Sequence, residues 1–205
     1  MRTILLTCCL FMGTILSAQN NVLIEIENAN AAYKVITGDF VRTQTNVAKG
    51  TSIKADGTLY IVGEDQMAQY YKAPSTDLLI INGNDFYMIR GKKNNKFNTE
   101  KNKTMRSLRN TLLYCVHGKP MELATENGAE ITAEKKENEY EVVLISTKKT
   151  ARGYAKIVLT YDLKSKLLTK MRMDEYNGNS TLYEMNNLKT NGNIDAKVFD
   201  IPEKK

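Results

Sequence analysis

The residues that could support catalysis are few and poorly arranged. The chain of 205 residues contains one histidine, His117, and three cysteines, Cys8, Cys9 and Cys115. Cys115 and His117 are two residues apart in a segment with helical spacing, so their side chains do not face each other and cannot form a nucleophile–base dyad. We expect Cys115 to be a small core residue. We expect His117 to lie at a helix end, where a cation or donor suits the exposed carbonyl groups.

Carboxylate and metal chemistry have no better support. Asp174 and Glu175 are adjacent in a strand-like segment, so they point to opposite faces of a sheet and do not form an acid–base pair. One histidine and one cysteine beyond the first segment give no spacing typical of a zinc site. No glycine-rich phosphate loop follows a predicted strand. The sequence therefore predicts neither an enzyme nor a metal or other cofactor.

The first 18 residues have the composition of a secretory signal. A basic residue precedes the apolar run 4–16, which is too short to span a bilayer, and small residues near Ala18 offer a cleavage site. A lipoprotein signal ending at Cys8 is the alternative, but Thr7 is too large for the position before the cysteine. We expect export to the periplasm and a single mature domain, residues 19–205.

The mature chain predicted in this way has no disulfide to stabilise it. Cys115 is its one cysteine, so its 187 residues must fold around a core alone. Loss of Arg2 leaves 28 basic and 23 acidic residues, a net charge of +5. The basic segment GKKNNKFNTEKNKT is interpreted as a solvated loop, and its single aromatic residue, Phe97, gives no stacking series for nucleic acid. We expect a monomer that binds no nucleic acid.

Asn-Gly pairs divide the sequence into short segments rich in β-branched and aromatic residues. Few helical patterns separate these segments, which predicts an antiparallel meander. The predicted strands are Phe40–Asn46, Thr58–Val62, Leu78–Ile81, Phe86–Ile89, Tyr140–Ser146, Tyr154–Tyr161, Leu167–Asp174 and Ser180–Leu188.

Two amphipathic helices are predicted beside these strands. The first covers Val22–Val35. The second has a capping residue at Thr104 and ends at Gly118, and Pro120 prevents its continuation. The apolar stripe of this second helix must rest on the sheet and consists of Met105, Leu108, Leu112 and either Cys115 or Val116.

The predicted hairpin around Asn82-Gly83 is apolar on both faces. In the segment STDLLIINGNDFYMI, residues 75–89, neither strand alternates between apolar and polar positions. A hairpin in a soluble antiparallel sheet normally exposes one face to water. Two interpretations stay open at this point: a strand pair sandwiched within a core, or a pair with one face toward a ligand cavity.

The order of these segments resembles the LolA family of periplasmic lipoprotein carriers and their LolB-like relatives. After the N-terminal helix, GDFVRTQT is similar to the family's first strand, and GTLYIVGEDQMAQYYKAPSTDLLIINGNDFYMI follows its next strands and hairpin. The helix in NKTMRSLRNTLLYCVHG takes the position of the family's lid, and YNGNSTLYEMNNLKTNGNIDAKVFDIP matches its closing segment. The resemblance implies an α+β fold, mainly antiparallel β. It would be an incomplete, half-open β-barrel with a helical lid over a cavity for acyl chains.

This resemblance also implies which residues form the site. One face of the hairpin would line the cavity, and the other would pack elsewhere or form a docking surface. The family's basic latch, often an arginine next to a proline, is missing, because Gly63 and Glu64 stand near its position. The residues implied for the hydrophobic cavity and lid are Leu59, Ile61, Met67, Tyr70, Leu79, Ile81, Phe86, Met88, Met105, Leu108, Leu112 and Val116.

The implied function is shielding of the acyl chains of lipoproteins, or of a related lipid, during transport to the outer membrane. Each buried methylene contributes about 0.8 kcal/mol, so a long chain does not cross water unaided. The implied partners are an acylated lipoprotein or other lipid ligand, an inner-membrane transporter and an outer-membrane acceptor. The missing latch leaves an alternative open: a lipid-binding sensor or protein-docking module that uses the same half-barrel.

Overall fold

The structure, a computed structural model, describes residues 21–148 and 153–202; the predicted signal peptide, residues 1–18, lies outside the described residues. One antiparallel sheet of eleven strands dominates it, in the order β6-β5-β4-β3-β2-β1-β11-β10-β9-β8-β7. Its end strands, β6 and β7, do not pair with each other, so the barrel is half open. The strands are β1 (Val35–Asn46), β2 (Thr51–Val62), β3 (Gln66–Tyr71), β4 (Leu78–Asn82), β5 (Asp85–Arg90), β6 (Lys93–Asn98), β7 (Ala129–Lys135), β8 (Glu139–Ser146), β9 (Tyr154–Asp162), β10 (Leu168–Glu175) and β11 (Ser180–Thr190).

Helices pack on one side of this sheet, which we call the inner face. They are α1 (residues 21–31), α2 (Lys103–Val116) and α3 (Pro120–Asn127), and a short 3-10 helix, Ala196–Phe199, follows β11. The inner face and the helices share one large hydrophobic cluster, which includes Leu23 and Ile26 of α1, Leu112 of α2 and Leu123 of α3. The predicted fold class, a mainly antiparallel half-open barrel with a helical cover, is confirmed.

The apolar hairpin is buried on both faces, and two different parts of the chain bury it. On the inner face, Leu79, Ile81 and Phe86 belong to the main cluster beneath the helices. On the opposite, outer face, the buried side chains of β3, β4 and β5 pack against Phe199. The residues of this outer cluster are Ala68, Leu78, Ile80, Tyr87 and Phe199, with Tyr60, Val62, Tyr70, Ile89, Ile194, Val198 and Ile201 packed against them.

The turn of this hairpin is shifted by one residue from the predicted Asn82-Gly83 pair. Asn82 pairs with Asp85, so Gly83 and Asn84 are the two central residues. Gly83 has a φ of 57°, and a glycine with positive φ at the first central position is the pattern of a type II′ turn. The hairpin itself forms as predicted.

Four elements of the structure are absent from the helices and strands predicted by sequence pattern: β3, β6, β7 and α3. Residues Lys93–Asn98 of the basic segment, which was predicted as a loop, form edge strand β6. They pair with β5, and Phe97 lies opposite Phe86. Lysines are common on exposed edge strands, where they discourage pairing with other chains. No pattern predicted β7 or α3, and β3 was implied only by the family resemblance. Helix α2 ends at Val116, two residues before the predicted end at Gly118, and Pro120 begins α3, since proline suits the first turn of a helix.

The helix ends also differ in detail from the predictions. The first helix stops at residue 31 rather than at Val35, because Val35 pairs with Val62 in the sheet. The cap of α2 is Asn102 rather than Thr104; the Asn102 side chain accepts a hydrogen bond from the Met105 backbone N–H. These differences move the boundaries of both helices by a few residues and leave their apolar faces where they were predicted.

Candidate functional site

Helix α2 is held across the inner face by hydrogen bonds near both of its ends. Tyr161 of β9 donates its hydroxyl to the Cys115 carbonyl at 3.0 Å. Toward the other end, Arg109 Nε donates to the Gly83 carbonyl at 2.8 Å, and Arg106 Nε donates to the Thr99 carbonyl at 3.0 Å. The two arginines lie off the apolar stripe, and they connect the helix to the β4–β5 hairpin and the segment after β6.

The C-terminal half of α2 rests on a filled core. Leu112 and Val116 are 1% and 2% exposed. The void between Val116 and the nearby strands has a volume of about 10 Å³, which is room for no more than about one water molecule. This end of the helix packs like an ordinary protein interior and offers no space for a ligand. We call it the closed end.

A cleft lies beside the N-terminal half of the same helix. Its volume is about 540 Å³, which lies within the range of about 300–1,000 Å³ typical of small-molecule sites. We call this region the open end. Its apolar walls come from α2, β7, β8 and β9 and consist of Met105, Leu108, Ala129, Leu144, Tyr154 and Ile157.

Charged side chains also line the cleft. Lys103, Lys148 and Lys156 contribute positive charge, and Glu126 and Glu175 contribute negative charge. Burial raises the pKa of the Tyr154 phenol, and the nearby Tyr183 and Glu175 raise it further, so Tyr154 stays neutral at physiological pH. The cleft therefore combines an apolar interior with charges of both signs, which suits an amphipathic ligand.

The residues predicted for the cavity do not all occupy the cleft. Met105 and Leu108 line it. Met88 is partly buried and packs against the core beneath the helices. The remaining inner-face residues are filled core: Leu59, Ile61, Met67, Leu79, Ile81, Phe86, Leu112 and Val116 are all at most 5% exposed.

The placement of Tyr70 needs correction. Tyr70 packs on the outer face with Ala68 and Ile80, and its hydroxyl donates to the Val198 carbonyl at 2.9 Å. Adjacent residues of a strand point to opposite faces, and it is Met67, Gln69 and Tyr71 of β3 that share the inner side. Tyr70 therefore helps to fix the C-terminal segment and is not part of the cleft.

Sequence reasoning missed the cleft residues from the far strands. Leu144, Tyr154 and Ile157 lie in strands that were predicted. The family resemblance, however, implied that the β4–β5 hairpin lines the cavity. The alternating pattern of β8 was the available signal, since Tyr140, Val142 and Leu144 are its buried positions. The sequence could identify an inward face, but it could not show which inward residues border empty space.

An acidic residue makes an ion pair where the family's basic latch is missing. The Glu64 carboxylate lies 3.0 Å from Nζ of Lys119, the N-cap residue of α3. The hydrogen bond and the positive charge of Lys119 lower the pKa of Glu64. Glu64 is 80% exposed in its side chain, so solvent screens this pair and its contribution to stability is small.

Neither His117 nor Cys115 is placed for catalysis. His117 caps the C-terminus of α2 as predicted, but it is 9% exposed, and burial together with the nearby Lys119 lowers its pKa to about 4. At neutral pH it is therefore an uncharged imidazole, so of the two predicted roles, cation or donor, the cation does not apply. Cys115 is fully buried, and burial raises the pKa of its thiol, which makes it a poor nucleophile.

A buried ion pair on the inner face was also missed by sequence reasoning. Arg42 is 6% exposed, and its guanidinium lies 3.3 Å from the Asp77 carboxylate and 4.6 Å from the centre of the Tyr71 ring. Phe40 packs edge-on against the same ring. A lone arginine in a strand gives no sequence signal that it faces inward. Its partner, Asp77, comes from the segment just before β4.

The chain matches a known protein family. The protein-family model for the outer membrane lipoprotein carrier protein LolA matches residues 31–202. No curated protein matches the chain. Within the described residues, no helix is long and apolar enough to cross a membrane, and no three potential metal-binding side chains gather into a group.

Solved structures of similar fold come from several bacteria. An outer membrane lipoprotein-sorting protein domain from Vibrio parahaemolyticus has 14% identity and a TM-score of 0.47, with coverage of 90% of this chain and 97% of that one. The structure of MucB has 14% identity and a TM-score of 0.52 over 91% of this chain and 63% of MucB. The lipoprotein LppX of Mycobacterium tuberculosis has 14% identity and a TM-score of 0.41 over 86% and 99%. Because the family match covers most of the chain and includes the whole sheet and all of α2 and α3, this protein belongs to the LolA family of outer membrane lipoprotein carrier proteins.

Proposed function

We propose that this protein is a periplasmic carrier that shields the acyl chains of lipoproteins, or of a related lipid, on their way to the outer membrane. The observation that carries this proposal is the cleft of about 540 Å³ beside the N-terminal half of α2. It lies between a helix and a sheet, and Met105 and Leu108 line its helical side. Flexible methionine side chains adapt to ligands of differing shape.

Membership of a family described as outer membrane lipoprotein carriers supports the same proposal. A carrier must present apolar surface to its ligand without leaving that surface exposed when empty, because open apolar patches cause association. Helix α2 covers the inner face, and its contacts differ along its length. The closed end anchors the helix, and the open end leaves room for an acyl chain.

Native mass spectrometry of the gently purified protein, together with a fluorescent fatty-acid analogue, tests the proposal. We expect co-purified lipid or acylated protein, and saturable binding of the analogue with displacement by palmitate. Leu108→Glu places a charge on the cleft wall and should weaken binding at least tenfold. Ile24→Glu is the matched control, because Ile24 is 50% exposed on α1 and outside the cleft.

The choice of Leu108 matters for this experiment. Leu112 lies on the same stripe but is 1% exposed, so Leu112→Glu would bury a charge and unfold the protein rather than report on binding. Leu108 is half-buried, and its replacement should leave the melting temperature close to that of the parent. A protein that neither carries lipid nor binds the analogue would overturn the carrier proposal.

The cellular setting belongs to the same proposal. We expect the first 18 residues to direct export and to be removed, with an inner-membrane transporter supplying the ligand and an outer-membrane acceptor receiving it. N-terminal sequencing of the protein recovered from the periplasm tests the first part. Crosslinking in membranes that contain acylated substrate tests the second.

The filled closed end keeps one other function under consideration, a sensor or docking module for protein. Its void of about 10 Å³ leaves α2 little room to move inward. MucB, whose fold is similar, has been solved in complex with MucA. A docking module would form a stable stoichiometric complex on crosslinking and would leave the fatty-acid analogue unbound, which is the opposite of the result expected for a carrier.

A further inference from the structure

The β1–β2 hairpin extends beyond β3, one of its two flanking strands, while β11 stays paired with β1 as far as Thr45. Pairing between β1 and β2 continues to Asn46 and Thr51, whereas pairing of β2 with β3 stops at Gly57. Residues 51–54 are exposed. The hairpin tip, which we define as residues 46–54, therefore extends past β3, and its β2 edge has no neighbouring strand among the described residues.

The hairpin tip combines exposed apolar and basic side chains. Val47 and Ile53 are 59% and 62% exposed, the largest values among the exposed large hydrophobic residues of the described chain. Lys49 and Lys54 are close to them in the chain, and the stretch NVAKGTSIK contains no acidic residue. Apolar side chains that enter the interface, flanked by lysines that meet phosphate groups, are typical of surfaces that bind anionic membranes.

The hairpin tip also contacts a turn that lies next to two residues lining the cleft. The Val47 backbone N–H donates to Asn179 Oδ1 at 3.0 Å, and a Cβ atom at Gly178 would lie 3.7 Å from Cγ2 of Val47. Gly178 and Asn179 belong to the β10–β11 turn, which follows directly after the cleft residues Glu175 and Tyr176. A surface that contacts the hairpin tip is thus brought close to the cleft.

We propose that the hairpin tip docks the protein on an anionic phospholipid surface with the cleft mouth beside the membrane. The charge of the tip complements such a surface. Two exposed apolar side chains are too few for a stable protein interface, which buries about 800 Å² on each partner. The docking is inferred from the side chains of the hairpin tip alone. The passage of a lipid between the membrane and the cleft additionally rests on the proposed carrier function.

Vesicle co-sedimentation with the mature protein tests the docking. We expect binding to vesicles of phosphatidylcholine and phosphatidylglycerol in equal parts, weaker binding at high salt and little binding to phosphatidylcholine alone. The double change Lys49→Gln with Lys54→Gln should weaken binding about 30-fold. The change Val47→Ser with Ile53→Ser should weaken it at least tenfold.

Matched variants control for total charge and for exposed apolar surface. Lys92→Gln with Lys93→Gln removes the same charge from the exposed β5–β6 turn and the first residue of β6. Ile24→Ser removes an exposed apolar side chain from α1. Both should bind vesicles like the parent. Equal losses from the tip and control variants would mean unspecific attraction by net charge and would overturn the docking proposal, as would binding that no tip variant changes.

The two proposals fail in different ways. A protein that binds the fatty-acid analogue but not anionic vesicles would retain the carrier function and lose the docking role. A protein that binds vesicles through the hairpin tip but not the analogue would retain the docking and lose the carrier function. The tip variants should bind the analogue with parental affinity, since no tip residue lines the cleft.

Discussion

The two ends of α2 share one sequence pattern but differ in how tightly the helix packs on the sheet. The same apolar stripe runs from Met105 to Val116, yet Val116 covers a void of about 10 Å³, whereas Met105 and Leu108 border a cleft of about 540 Å³. The difference comes from what lies opposite the helix. Side chains of the central strands β1, β2, β10 and β11 fill the space at the closed end, and β8 and β9 leave a gap at the open end.

The two ends of this one helix therefore have different roles, one in stability and one in binding. The closed end supplies stability, because a buried leucine contributes free energy through both transfer from water and close packing. The open end supplies binding, and it remains attached through the hydrogen bonds of Arg109 to the β4–β5 hairpin and of Arg106 to the segment after β6. A uniform lid that lifts as a whole would have to break the core at Leu112.

Leucine-to-alanine changes at the two ends should have very different costs. We expect Leu112→Ala to lower the free energy of unfolding by about 3 kcal/mol, because it leaves a cavity in a filled core. Leu108→Ala should lower it by about 1 kcal/mol or less, because its site already borders open space. Urea denaturation of both variants measures the difference. Equal losses would show that the two ends are packed alike.

The protonation of His117 should make the stability of the closed end depend on pH. Its pKa is lowered from 6.5 to about 4 in the fold, so the unfolded chain binds the proton first, and stability is lost as the pH falls from 6.5 toward 4. Burial is the main cause, and Lys119 opposes protonation while Glu64 and Asp65 favour it. By pH 5 the loss should reach about 2 kcal/mol.

Replacing the histidine tests that effect directly. His117→Gln removes the one imidazole of the chain, so the fall in unfolding free energy between pH 7 and pH 5 should shrink by about the same 2 kcal/mol. Urea denaturation at the two pH values provides the measurement. An unchanged pH dependence would mean that the closed end admits water to the imidazole.

A smaller effect than that of Leu112→Ala or of His117 protonation is expected at the cap of the open end. Asn102→Ala removes the side-chain acceptor of the Met105 N–H, a hydrogen bond of 3.0 Å, and should lower the free energy of unfolding by about 1 kcal/mol. Asn102→Asp keeps an acceptor and should retain most of the stability. Amide hydrogen exchange would show faster exchange in the first turn of α2 alone. Faster exchange at Leu112 would instead mean that both ends open together.

Local patterns predicted much of the fold, and their failures have physical causes. The stripe of α2, the hairpin in residues 78–89 and the strands β8 to β11 follow from periodicity and turn residues, which act over a few positions. The edge strand β6 was not predicted because its polar residues fold as a strand only by pairing with β5. Tyr70 was assigned to the wrong face because the resemblance named a strand without fixing its register.

The sequence by itself determined the α+β character of this protein, the amphipathic helix over the sheet and the family resemblance, because these depend on residue types at short spacing. Only the tertiary structure decided that the C-terminal segment covers the outer face of the hairpin, and that space is left at one end of α2 and not at the other. Both outcomes depend on side chains far apart in the chain. No short-range pattern specifies how completely such side chains fill the volume between them.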